Sequence, residues 1–349
     1  MHSAVSNRRF DSSSAVDFIV TIDTEADRQW DHGVPLSCDN VAYWPPFQRL
    51  CDAHGVVPTY LVTSEIAEDR LAARLLGEWV RSERAEVGAH LHPWTTAPYR
   101  DATGMRFNDA VHLFPNELPE DLLRAKLERL TAQIEASVGV RPVSYRAGRF
   151  GMNGAGARAL ADLGYIVDTS VTPSISWRTV NAGAGHAGGP DFRRHSSAPF
   201  LIAGSGDPGV LELPVTVMVT DRWARRYPSL TKLVFSRPVR LTRRILRGGR
   251  AVPQAMWLRP FPSMRAEDLR SVWRVAEAEG LPSAVMMLHS SELMPGGSPY
   301  RPTRRSITGL LATLDEFFRF VRRVGGTPVS LTEGARRVSE GTAAERRPL

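Results

Sequence analysis

The sequence predicts an α/β fold of parallel strands covered by helices, and three observations carry that expectation. Short apolar runs alternate with amphipathic segments of helix length through most of the 349 residues. Roughly seven such runs can be counted, as many as a small barrel needs. Each of the residues best able to do chemistry, Asp23, Glu25, His90, His92, Arg146, Asp168 and His289, falls at the C-terminal end of a run, as at the active face of a barrel. A doubly wound sheet would alternate in the same way, but no Gly-rich phosphate-binding turn follows any run, so the barrel is preferred.

The elements follow in order. Val16–Ile22 is an apolar strand that runs into Asp23-Thr24-Glu25-Ala26-Asp27. Phe47–His54 reads as a helix closed by Gly55, Val56–Val62 as a second strand, and Ile66–Arg84 as a helix. The third strand, from Glu86, delivers His90 and His92 on one side, because side chains two apart on a strand share a face. The Pro- and Asn-rich stretch Thr95–Pro119 is long enough to be a functional loop. A helix then runs to about Ser137 with Leu122, Leu123, Leu127, Leu130 and Ile134 on one stripe, and Gly139 stops it. A strand ends in Tyr145-Arg146-Ala147-Gly148-Arg149-Phe150-Gly151, Asn153 caps a short helix to Leu163, and Tyr165–Asp168 is the next strand. A loop to about Pro208 leads to the strand Leu211–Val217. After a basic segment come a helix at Ala266–Gly280, a strand at Ala284–Leu288 ending in His289-Ser290-Ser291-Glu292, a helix at Ser306–Val324 and a last strand at Thr327–Leu331. We expect polar tails at residues 1–14 and 336–349 flanking one barrel domain over 15–335.

With 42% hydrophobic and 23% charged residues the chain can bury one large core. Cys38 and Cys51 are too few for a disulfide framework and have no zinc-finger spacing. Met1–Ser14 has no apolar stretch of signal-peptide length and no run of 18 apolar residues occurs, so a cytoplasmic location is expected. The net charge of +7 is uneven. Between Arg222 and Arg250 Lys and Arg are dense and Asp and Glu are absent, with Trp223, Tyr227, Phe235, Leu241 and Leu246 interleaved. A solvated helix inserted near 222–255 is the simplest reading of this segment. Peripheral docking on an anionic membrane surface is the sharper one. No nucleic-acid-binding motif accompanies it, and no nucleic-acid partner is expected.

Taken singly, the polar residues have ordinary explanations. An Asp at a strand end caps a turn, Arg146 fits an ion pair, and His289 fits a satisfied core position. Their coincidence at one end of a barrel favours a site instead.

The motifs Thr21-Ile22-Asp23-Thr24-Glu25, His90-Leu91-His92, Tyr145-Arg146-Ala147-Gly148-Arg149-Phe150-Gly151, Asp168-Thr169-Ser170 and Leu288-His289-Ser290-Ser291-Glu292-Leu293, in this order, resemble the polysaccharide deacetylases of carbohydrate esterase family 4, which share the NodB homology domain, and within them the WalW-like branch. The resemblance spans roughly Val16 to Leu331. It implies a distorted (β/α)7 barrel and a hydrolase that removes the N-acetyl group from an acetamido sugar or glycan precursor. One divalent ion is implied, zinc first, with nickel or cobalt as alternatives. The resemblance makes Asp23 the base, Arg146 its partner and His289 the acid for the departing amine. Glu25, His90 and His92 are the implied metal ligands, and Trp94, Arg149, Phe150 and Asp168 the substrate-binding residues. A backbone N–H near Phe150 is the expected oxyanion donor, and Trp257 and Phe261 are candidates to stack on a sugar. Two departures stand out: Thr24 occupies the usual second Asp position, and the histidines are two apart rather than four. A direct role for Asp23 on the metal therefore competes with Glu25, and His92 could serve substrate. The alternatives in function are removal of formyl or another acyl group from a lipid-linked aminosugar, or a degenerate barrel that binds glycan without turnover.

Overall fold

The computed structural model describes residues 15–29, 35–107, 112–178, 188–202, 209–221, 225, 255–341 and 346–347. Apart from Arg225, the basic segment between Arg222 and Arg250 lies outside them.

Alternation within the first strand decides how the molecule is layered. In β1 (Asp17–Thr24) every residue is buried, and successive side chains enter different cores. Phe18, Val20 and Ile22 face the surrounding helices, and Ile19 joins the inner apolar cluster. Thr21 and Asp23, two and four residues past Ile19, continue the inner face toward its polar end. Phe18 meets Trp273, Phe317 and Phe318 edge-on at 5.9, 5.7 and 5.6 Å. It thereby clamps α6 (Ala266–Ala278) and α7 (Arg304–Arg323) to the strand.

Six more strands complete the parallel array: β2 (Thr59–Val62), β3 (Glu86–Leu91), β4 (Ser144–Ala147), β5 (Val167–Asp168), β7 (Leu211–Glu212) and β10 (Ser283–His289). Their order is β10-β1-β2-β3-β4-β5-β7, all parallel. A bridge from Val215, just past β7, to Val285 of β10 draws the two ends together. The result is an α/β fold with a curled, mostly parallel sheet, the distorted barrel that the sequence predicts. The connecting helices are α1 (Trp44–His54), α2 (Ser64–Glu68), α3 (Arg70–Arg81), α4 (Glu120–Val138) and α5 (Gly154–Asp162). Pro45 and Pro46 open α1, where the first turn needs no N–H, and Gly55 closes it in the left-handed conformation at φ 65°.

Several expectations need correction, among them the strand read as Leu211–Val217, whose two ends belong to different sheets. The helix read as Ile66–Arg84 is two helices, because Asp69 is extended and its carboxylate accepts from Ala72 N to cap the second. Helix α1 starts at Trp44, three residues early. The loop before Leu211 contains β6 (Phe200–Ile202), antiparallel to β7. The tail expected from residue 336 is helical to Gly341: α8 (Leu331–Gly341) follows β11 (Thr327–Val329), and β12 (Arg346–Arg347) pairs with β6. Leu331, Ala335 and Val338 of α8 pack with Ile19, Leu61, Val167, Leu211 and Val285, plugging the barrel end opposite the chemistry. A small remaining sheet pairs β8 (Val217–Met218) with β9 (Met256–Trp257).

The barrel wall is tight at Gly88, two residues before His90. A methyl group there would lie 2.5 Å from Ser144 Oγ and 2.7 Å from Leu61 Cδ2. We expect Gly88→Ala to lower stability by about 1–3 kcal/mol, read from the urea midpoint. An unchanged midpoint would contradict this packing.

Candidate active site

Strand register sets the chemistry side by side. Asp23 lies opposite His289, His90 opposite Arg146, Tyr145 opposite Asp168, and Asp168 opposite Glu212. Arg146, fully buried, reaches across the barrel from β4 to β1. It donates to Asp23 Oδ1 at 2.5 Å, to Thr21 Oγ1 at 2.8 Å and to the Thr169 carbonyl at 2.9 Å. Its own carbonyl oxygen is 2.9 Å from His90 Nδ1. A carbonyl only accepts, so Nδ1 carries the ring proton and His90 Nε2 presents a lone pair.

That lone pair faces two other donors. His92 Nε2 is 3.1 Å from His90 Nε2 and 3.4 Å from Glu25 Oε2, and one atom from each of Glu25, His90 and His92 lies within 4.8 Å of the others. The two-residue spacing therefore brings both rings to one point. Thr24 takes no part, since its hydroxyl turns back to the Ile22 carbonyl at 2.9 Å. Glu25 is fixed through its backbone: its carbonyl accepts from Asn40 Nδ2 at 3.0 Å, and its N–H donates to Ser290 Oγ at 3.2 Å. His92 sits against Gly148, where a Cβ would lie 2.4 Å from its ring, and stacks on Trp94 with centroids 4.4 Å apart. Lys126 of α4 holds the loop that follows, donating to the Pro93 carbonyl at 2.9 Å and to the Thr96 carbonyl; burial lowers its pKa to about 8.

The two carboxylates of β1 are pushed apart in pKa. Burial by itself would raise Asp23, but Arg146, then His90 and His289, outweigh it and bring the group to about 2. Burial raises Glu25 well above the usual range, and the charges of Asp23 and Glu65 add to it against the opposing Arg259 and Arg149. A buried carboxylate so placed is held ionised by a cation. Two imidazoles and a carboxylate converging on one point suit a divalent transition ion, so the donor set fits a metal.

The remaining expected residues divide. His289 Nε2 is 3.8 Å from both Asp23 Oδ2 and Glu25 Oε1, at the mouth of the same cluster. Arg149 lies over the Trp94 ring at 5.6 Å, and Phe150 stacks on Trp177 at 5.1 Å. Both adopt left-handed backbone angles, φ 52° and 61°, a strained turn of the kind found at functional sites. Half-buried Trp257 and Phe261 continue this aromatic wall, with ring centroids 6.4 Å apart. Asp168 does not face the cluster. It is fully buried and accepts from Ser170 Oγ at 2.6 Å; burial raises its pKa and that of Glu212 beside it. Ser170 in turn accepts from Ala147 N at 2.8 Å, so Asp168 braces β4 through Ser170. Two residues escaped the sequence reading: Glu212, which accepts from Val171 N at 2.9 Å, and Arg259, 2.8 Å from both His289 Nδ1 and Glu292 Oε1. The one sequence signal for Arg259 is the acid three residues after His289, Glu292, which when buried needs a cation.

No family model and no curated protein matches the chain. Among solved structures it is similar to a Mycobacterium smegmatis protein provisionally described as a polysaccharide deacetylase, with TM-score 0.57 and 18% identity over 98% of this chain and 96% of that one. At this identity the likeness is one of fold. The Xyl-CE4 domain of a multidomain xylanase from the Trinervitermes trinervoides hindgut metagenome aligns at TM-score 0.41 and 11% identity, over 93% of this chain and 92% of that one. The family 4 acetyl xylan esterase from Clostridium thermocellum, solved with a cobalt ion, aligns at 0.40 and 13%, over 95% and 99%.

The Arg146–Asp23 pair yields a pH prediction. Asp23 is lowered from 3.8 to about 2, so its stabilising contribution is present above pH 4 and is lost as the pH falls toward 2. Arg146→Met strands a buried carboxylate and should cost about 3–5 kcal/mol at pH 7. The gap to wild type should narrow as the pH falls from above 4 to about 2, because the stranded Asp23 of the variant takes up its proton at a higher pH than the arginine-held Asp23 of wild type. Urea unfolding at several pH values reads this, and a pH-independent gap would contradict the pairing.

Proposed function

We propose that the chain is a metal-dependent hydrolase that removes an N-acetyl group from an acetamido sugar or a sugar-containing precursor. The observation that carries the proposal is the convergence of Glu25, His90 and His92 on one buried point beside an ionised, arginine-held Asp23. The five motifs in family order and the shared fold with a protein described as a deacetylase support the same reading.

Glu25, His90 and His92 would hold the ion. When bound, a divalent ion supplies a Lewis acid that polarises an acyl carbonyl and makes water more acidic. Asp23 keeps one oxygen on Arg146 and presents the other, Oδ2, toward His289, so its free oxygen is placed to take the proton of an attacking water. Its low pKa keeps it ionised through the neutral range, ready as an acceptor. His289 faces the departing nitrogen from the adjacent strand end. The half-buried rings of Trp257 and Phe261, with Phe150 and Trp177, give a sugar an apolar face to lie on and shed water from the acyl group.

Acetate release from N-acetyl sugars, nucleotide sugars and short chitin oligomers tests the reading, with zinc, nickel or cobalt added and protein-bound metal measured in parallel. Wild type should bind one ion per chain, and His90→Ala or His92→Ala should lose it. Asp23→Asn should keep the ion and lose roughly 10²–10⁴-fold in rate. A protein that binds no divalent ion, or an Asp23→Asn variant as active as wild type, overturns the proposal.

A further inference from the structure

His289 offers Nε2 to the cluster, so whatever holds its other nitrogen decides what Nε2 can do. Among the described residues, Nη2 of Arg259 lies 2.8 Å and Oε1 of Glu292 3.3 Å from Nδ1. A guanidinium has donors and no acceptor, so at the shorter contact Nδ1 must be the acceptor. Nη2 carries two hydrogens and has two acceptors in range, Nδ1 and Glu292 Oε1, the latter also at 2.8 Å. The same Oε1 also accepts the backbone N–H of His289 at 3.2 Å, so two other donors share it beside its longer 3.3 Å contact with the ring.

Arg259 has little freedom to leave this place. It is 6% exposed, and its guanidinium lies 4.7 Å from the Phe261 ring centre and 5.3 Å from that of Tyr300. Glu292 is fully buried beside it, and Arg301 approaches the other carboxylate oxygen at 3.9 Å. A carboxylate alone beside an imidazole would draw the ring proton to Nδ1, the arrangement usual for histidines oriented by an acid. Here the cation contacts both the acid and the ring, and its contact with the ring is the shorter one.

We propose that Arg259 is a positioning residue that holds His289 in the tautomer with its proton on Nε2, aimed at the space between Asp23 and Glu25. The ring then has one hydrogen to offer, and it points at the reacting group. The catalytic meaning rests on the hydrolase reading, whereas the tautomer does not. In that reaction Asp23 takes a proton from water as the water oxygen bonds to the acyl carbon. When the C–N bond breaks, its electron pair stays on nitrogen and takes up that proton. Nε2–H steadies the nitrogen by a hydrogen bond and keeps its own proton. This differs from the role implied by the family resemblance, in which His289 gives its proton away.

Long-range ¹H–¹⁵N correlation spectra of the full-length labelled protein, as purified, read the tautomer directly. His289→Gln identifies the ring's signals by their loss. Wild type should show His289 with an unprotonated Nδ1 and a protonated Nε2. In Arg259→Met, Nδ1–H becomes free to donate to Glu292, and the two nitrogens should exchange their patterns. Glu292→Gln should keep the Nε2–H form, because Arg259 remains, and it serves also if Arg259→Met fails to fold. A proton on Nδ1 in wild type, an unchanged pattern in Arg259→Met, or a switch in Glu292→Gln each overturns the proposal. The spectra need no turnover, so a failure to release acetate would count against the proposed function and leave the tautomer standing.

Discussion

The buried pair of Arg146 and Asp23 is the interaction on which the rest of the site depends. Its guanidinium starts on β4 and ends on β1, joining strands that have β2 and β3 between them in the sheet, and it also binds Thr21 and Thr169. A charge taken this far out of water is tolerable only with its hydrogen bonds satisfied. The same residue's carbonyl turns His90 so that Nε2 faces the cluster. One arginine thus ionises the candidate base with its side chain and aims a candidate ligand with its backbone.

The neighbouring groups follow from that choice. Burial first, and then the charge of the ionised Asp23 two residues away, disfavours Glu25 as an anion, which is why it is pushed up and why a cation suits its position. Support comes from outside the cluster: Asp168 and Ser170 brace Ala147, Lys126 holds the loop after His92, and Gly148 leaves room for the His92 ring. At the far end of the barrel α8 supplies an apolar plug.

Much of this was legible in the residues. The two-residue periodicity of Ile19, Thr21 and Asp23, and of His90 and His92, fixes which side chains enter the barrel once the strands are recognised. What local pattern cannot express is reach across the barrel. Arg259 follows a stretch with no periodicity, and its partner Glu292 is far away in sequence, so nothing local joins them. Asp168 was visible at its strand end, but its place beside Glu212 depends on the pairing of β5 with β7. The break at Asp69 interrupts an apolar stripe that continues on both sides. The helix after Leu331 did leave a signal, apolar residues at Leu331, Ala335 and Val338, which the surrounding polar residues obscured.

The central claim is that Glu25, His90 and His92 form one metal centre at the barrel mouth. Anomalous diffraction at the zinc absorption edge, from crystals of the full-length chain grown with zinc, tests it most directly. The account predicts a single strong peak within bonding distance of Glu25 Oε2, His90 Nε2 and His92 Nε2. A peak bound elsewhere with that point left empty would contradict it.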